Sequence, residues 1–116
     1  MLVDTRRKII TFEQAVNLAR LQQVRWVTGT FDPLLAEHAQ RLREFIEPGH
    51  ILVVIVANPP RPLLSQRARA ELVAALSMVD HVVMKDGPAQ FSEPDDARIR
   101  EEFIQHVLLK SRSHER

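Results

Sequence analysis

The run HILVVIVAN, His50 to Asn58, constrains the fold more than any other stretch of this chain. From Ile51 to Ala57 it is apolar without a break, and mostly β-branched. A strand with one wet face alternates apolar and polar residues, whereas a strand covered on both faces reads as continuous apolarity. The run therefore predicts a strand over 50–57, inside a parallel sheet with helices on both faces. It is too short to span a membrane. Two further runs fit the same sheet: VRWVTG, giving a strand over 24–29, and DHVVM, giving one over 80–84.

Helical patterns separate these strands. Thr11-Phe12-Glu13-Gln14 has the capping-box spacing and opens a helix over 11–22. A second helix is expected over 33–46, with Pro33 in its first turn and Leu35, Ala39, Leu42 and Ile46 as its apolar stripe. A third is expected over 65–77, carrying Ala68, Leu72, Ala75 and Leu76 on one side. A fourth, over 94–110, carries Ile99, Phe103 and Val107. Strands alternating with helices of this length mean right-handed βαβ units. The expectation is a single domain over 1–116, a Rossmann-like three-layer α/β/α fold with a short parallel sheet. The stiff loop Asn58-Pro59-Pro60-Arg61-Pro62 then lies at the C-terminal edge of the sheet, where open α/β sheets bind ligands.

Composition narrows the function classes. A net charge of +1 gives no nucleic-acid footprint, and the absence of Cys excludes disulfides and thiolate metal sites. Residues 1–10 carry no signal-peptide core, so a cytoplasmic protein is expected, with no membrane partner.

One segment carries chemistry. GTFDPLLAEH, Gly29 to His38, runs from a strand through a turn into a helix start. Such a turn gathers free backbone N–H groups at the positive end of a helix dipole, which makes a general anion site. With one glycine it lacks the spaced glycines of a dinucleotide or P-loop fingerprint. His38 reads either as a donor aimed at phosphate or as a partly buried helix histidine.

VTGTFDPLLAEHAQRL resembles the signature of the cytidylyltransferase-like nucleotidyltransferases, whose first strand leads into G-[TC]-F-D-x-L-H-x-G-H. KIIT with EQA, ILVVIVAN, and the segment Arg61 to Val83 resemble the lead-in helix, second strand, and following loop, helix and strand of the heptose-type domain. The resemblance covers roughly residues 8 to 84. It implies nucleotidyl transfer from CTP or ATP, usually with Mg²⁺, to a sugar or polyol phosphate, with no metal ligand assigned in this chain. The nucleotide and phosphate positions it implies are Thr28, Gly29, Thr30, Phe31, Asp32, His38, Asn58, Arg61 and Arg69, with His38 the catalytic position if the domain is active. Two motif positions depart. Leu35 stands for the first histidine, and Glu37 for the glycine.

Loss of one preorganised donor costs about 3–4 kcal/mol. A carboxylate ~4 Å from a phosphate charge adds about 4 kcal/mol of repulsion at an effective dielectric near 20. Both changes also have structural readings, Leu35 as core and Glu37 as a solvated first-turn carboxylate. Arg69 could equally be an exposed helix residue, and Arg61 a cap on the proline loop. Nothing after Met84 resembles the family's closing G-x-S-T-T-x-I segment. The expectation is a degenerate domain that binds nucleotide or phosphate weakly, with little or no catalysis. Its rivals are an active enzyme with a composite dimer site and an interaction module that binds no nucleotide. Without the family's later strands, the strand at 24–29 has a free edge. The terminal helix, an N-terminal strand from 2–10, or a second chain could cover it, and a homodimer is expected.

Overall fold

The computed structural model describes residues 4–85. The chain begins with a 3₁₀ turn, Thr5–Lys8, and a two-residue strand β1, Ile9–Ile10. Helix α1 is Phe12–Leu21, strand β2 Gln23–Gly29, helix α2 Ala36–Arg43 and strand β3 His50–Val56. Helix α3, Gln66–Ala74, and strand β4, His81–Met84, follow. The expected helix over 94–110 lies outside the described residues.

All four strands are parallel, in the order β1-β4-β3-β2. The order explains the layers. Stepping from β2 to β3 to β4 moves one way across the sheet, and right-handed crossovers put α2 and α3 on one face. Stepping from β1 to β2 moves the other way and puts α1 on the opposite face. The result is a Rossmann-like α/β fold.

β3 sits between its neighbours and is apolar on both sides, for the reason its sequence suggested. Leu52, Val54 and Val56 join Val27, Leu42, Ala70, Val73 and Val82 under α2 and α3. Val53 and Ile55 join Ala15 and Val83 under α1, with Val24, Trp26 and Ile51 packed against them.

Local chemistry sets the helix starts. Thr11 Oγ1 accepts the Gln14 N–H at 3.1 Å, and Gln14 Oε1 accepts the Thr11 N–H at 2.8 Å, so the capping box forms. Ser65 Oγ accepts the Ala68 N–H at 3.1 Å and caps α3.

Three expectations are corrected. Pro33 is not in the first turn of α2. The chain passes through Phe31 at a positive φ of 49° and a cis Asp32–Pro33 bond, and the helix starts only at Ala36. The α2 stripe is also rotated. His38 and Leu42 are its buried residues, while Ile46 lies beyond the helix and is 55% exposed. On α3 the buried face is Arg69, Ala70, Val73 and Ala74, whereas Leu72 is exposed. The helix also ends at Ala74, short of the expected 77. The N-terminal strand Ile9–Ile10 pairs with β4, at the edge opposite β2. Among the described residues β2 therefore pairs with β3 alone.

Candidate functional site

The turn after β2 is built around one glycine and one aromatic ring. A Cβ on Gly29 would lie 2.8 Å from Cζ and 2.9 Å from Cε2 of Phe31. Phe31 folds back over the end of its own strand, and only a residue without a side chain leaves room. The ring is fully buried and meets the His38 ring edge-on, centroids 5.5 Å apart. Thr28, one residue before the glycine, is buried at the end of the strand.

Asp32 points inward and is 1% exposed. Its carboxylate accepts the Leu63 N–H at 2.6 Å and the Leu64 N–H at 2.9 Å. These are charge-assisted bonds, roughly twice as strong as neutral ones. They fasten the loop before α3 to the turn after β2.

His38 is 1% exposed. Its Nδ1 accepts the N–H of Leu35, the N-cap residue of α2, at 3.0 Å. An accepting Nδ1 carries no proton, so the neutral ring has its proton on Nε2. The ring thus satisfies the backbone N–H of the N-cap residue, while the aliphatic Leu35 side chain can accept none of the helix N–H groups. Leu35 itself is half-buried and Glu37 exposed.

Arg69 is the largest fully buried side chain of the described residues. Its guanidinium is turned into the protein. Nη1 donates to the carbonyls of Thr30 at 2.9 Å and Ala57 at 2.7 Å, Nε donates to the carbonyl of Leu64 at 3.1 Å, and Nη2 donates to Asn58 Oδ1. Several oriented carbonyls at once are what a buried cation needs in place of water. The resemblance gives this arginine to phosphate, but the structure places it beneath the site, bonded to the backbone that forms it. Asn58 and Arg61 are exposed on the loop after β3.

Gly29, Thr30, Phe31, Asp32, His38, Asn58 and Arg69 therefore converge at the C-terminal edge of the sheet, where β2 and β3 end. A groove of about 510 Å³, lined by Arg20, Leu21, Val24, Trp26 and His50 among others, lies at the opposite end of these strands. Among the described residues no three acidic or histidine side chains gather as a metal site. Mg²⁺ needs oxygen ligands and usually rides on phosphates with one or two carboxylates. In the turn, each oxygen of the Asp32 carboxylate accepts one backbone N–H. Among the described residues no helix is long and apolar enough to cross a membrane.

A parallel sheet between helices, with a G-T-F-D turn and helix start at its C-terminal edge, defines a Rossmann-like α/β domain. Curated proteins similar to the chain narrow that class. It is 40% identical over 77 residues to an FAD synthase of Methanoregula boonei, covering 61% of this chain and 52% of the relative. It is 32% identical over 100 residues to an FAD synthase of Ferroglobus placidus, covering 72% and 66%. It is 29% identical over 119 residues to the bifunctional protein HldE of Helicobacter pylori, covering 95% and 24%. The chain belongs with the cytidylyltransferase-like nucleotidyltransferases, as a relative at modest identity. It spans about half the length of the Methanoregula FAD synthase and about a quarter of HldE. No protein-family model matches it.

Proposed function

We propose that this chain is a degenerate nucleotidyltransferase-like domain. It binds nucleotide or phosphate weakly at the turn Gly29 to Asp32 and at His38, and has little or no catalysis. The observation that carries the reading is Leu35 at the N-cap of α2. The position nearest the free N–H groups of the site helix has a side chain that can neither donate nor accept. The inward-turned Arg69 supports the same reading, because it removes a cation from direct contact with phosphate. The groups that would meet an anion are backbone N–H groups at the helix start, with His38 and Arg61 as the side chains the family resemblance assigns to phosphate. CTP and ATP are the candidate ligands, with any Mg²⁺ arriving on their phosphates.

The test is thermal unfolding with and without Mg²⁺ plus CTP or ATP. FMN is added beside ATP, because several relatives are named FAD synthase. A ligand at ~100 times its dissociation constant adds about 2.7 kcal/mol. A domain of this size shows that as a rise of several degrees. A rise at millimolar nucleotide, without pyrophosphate release above background, is the expected result. No rise with any nucleotide removes the binding function, and steady pyrophosphate release removes the degeneracy.

The same proposal includes a homodimer through β2. Gly29 O accepts the Ala57 N–H at 3.0 Å, so the backbone of the odd-numbered residues faces β3. The backbone of Val24, Trp26 and Thr28 faces the other edge. Over Gln23–Gly29 this strand has no proline and an unbroken register with β3, so neither a proline nor a bulge blunts it there. A two-fold axis at Trp26 would pair Val24 with Thr28 of a second copy and engage all three outward residues. Sedimentation should give twice 13.3 kDa. Trp26→Pro, which deletes an outward N–H, should give the monomer. A wild-type monomer at every concentration rejects this interface.

A further inference from the structure

Arg69 is buried and charged, and the proposed binding reading gives it no direct contact with ligand. Its four donor contacts reach three separate stretches of chain: Thr30 after β2, Ala57 and Asn58 after β3, and Leu64 before α3. Asp32 closes the same circuit from the other side through Leu63 and Leu64. The Leu64 residue is thus held at both its polar backbone groups, its N–H by Asp32 and its C=O by Arg69. Neither grip is a salt bridge at the surface that water would screen, since Arg69 is 0% and Asp32 1% exposed.

We infer that Arg69 is a positioning residue for the anion turn. It fixes the Thr30 carbonyl, and with it the direction in which the following backbone N–H groups face, without touching the ligand itself. The inference rests on the proposed binding function and says how that site is held in shape. It also makes the turn and the 58–64 loop one mechanical unit, so Arg61 and the turn keep a fixed separation.

Guanidinium geometry makes this testable. Arginine offers five N–H donors in a planar fork, whereas lysine offers three from a point. Arg69→Lys therefore keeps the charge and loses the ability to bridge carbonyls on three segments. Val73→Ala serves as the control, since Val73 is buried on the same helix face but belongs to the apolar core. Two readouts are made on wild type and both variants. Hydrogen exchange is followed at the Leu63 and Leu64 amides, and the dissociation constant for ATP or CTP is taken by titration.

In Arg69→Lys, exchange at Leu63 and Leu64 should quicken at least tenfold relative to the β3 amides, and nucleotide affinity should fall tenfold or more. Val73→Ala should lower the unfolding midpoint while keeping both loop protection and affinity. Unchanged loop exchange in Arg69→Lys overturns the inference, and so does wild-type affinity. Equal loss of affinity in Val73→Ala reduces Arg69 to general stability and also overturns it. If wild type binds no nucleotide, the binding reading fails, and the exchange arm alone then decides whether Arg69 holds the turn.

Discussion

Replacing Gly29 by alanine tests the construction of the site turn directly. The added Cβ would meet the Phe31 ring at 2.8 and 2.9 Å, closer than such contacts occur. A ring tip can sometimes swing aside. Here the ring is fully buried and packs edge-on against His38, so it has little freedom to move. Overpacking of this kind costs about 1–3 kcal/mol. Alanine recovers roughly 0.4–1 kcal/mol by restricting the unfolded chain. The net loss is about 1–2 kcal/mol, a fall in the unfolding midpoint of roughly 4–12 °C. Thermal unfolding of four proteins reads the cause: wild type, Gly29→Ala, Phe31→Leu and the double variant. Leucine and phenylalanine bear the positive φ of residue 31 alike, so that strain cancels. Phe31→Leu should destabilise by itself, and Gly29→Ala should then cost much less in its background, a coupling of about 1 kcal/mol. Strict additivity, or an unchanged midpoint for Gly29→Ala, would refute the steric account.

Asp32→Asn exchanges an acceptor-only carboxylate for an amide that must turn a donor toward one of two N–H groups. It should cost about 1–3 kcal/mol in denaturant unfolding and should deprotect Leu63 or Leu64. His38→Leu removes the acceptor for the Leu35 N–H and should cost about 1 kcal/mol or more, together with any nucleotide-dependent stabilisation. The double change Leu35→His with Glu37→Gly restores the family motif. It should raise nucleotide affinity at a cost of about 1 kcal/mol for glycine in the first turn of α2, measured by titration and unfolding. At the surface, the Arg6 side chain and then its backbone N–H donate to Asp4, which holds that carboxyl below its ordinary 3.8. A folded value below the unfolded one gives stability that is present above the unfolded value and is lost as pH falls through the folded value. A carbon-13 titration should show this depression, and Arg6→Gln should reduce it while leaving the part due to the backbone N–H.

How far the sequence could be read depended on which residues carried the signal. The strands were legible because β3 is continuously apolar and parallel burial leaves no other pattern. The starts of α1 and α3 were legible because Thr11 and Ser65 cap by local bonds. A strand within 2–10 is offered only at the free edge of β2, whereas so short a pair as Ile9–Ile10 owes its position beside β4 to Val82 and Val83 rather than to its own pattern. The α3 face was misread for a physical reason. The apolar pattern puts Leu72 in the core and leaves Arg69 either to phosphate or to an exposed face, yet Arg69 and Val73, four residues apart on one face, are both fully buried. A cation can occupy a core position when carbonyls from three segments replace its water, and no periodicity in apolar residues reports that. The start of α2 failed similarly. Proline suits a first helical turn in general, but the tucked Phe31 ring displaces the start by three residues.

The positions that match the family motif and those that depart from it differ in what the fold asks of them. Gly29 is required by the Phe31 ring, Phe31 fills the core beneath the turn, and Asp32 ties down the next loop. His38 caps its own helix through Nδ1, and Arg69 binds carbonyls. Each of these would be kept by a chain that needed this fold and bound nothing. On the same turn Leu35 is half-buried and Glu37 exposed, and the Leu35 side chain makes no cap bond to the helix. A motif match in this turn is therefore accounted for by the scaffold alone, and the two departing positions are where the proposed loss of function is to be tested. This is why the motif-restoring variant is the sharper test of function than any deletion. Loss of a matching residue confuses folding with binding, whereas a gain from Leu35→His and Glu37→Gly can arise only if the scaffold still presents an anion site.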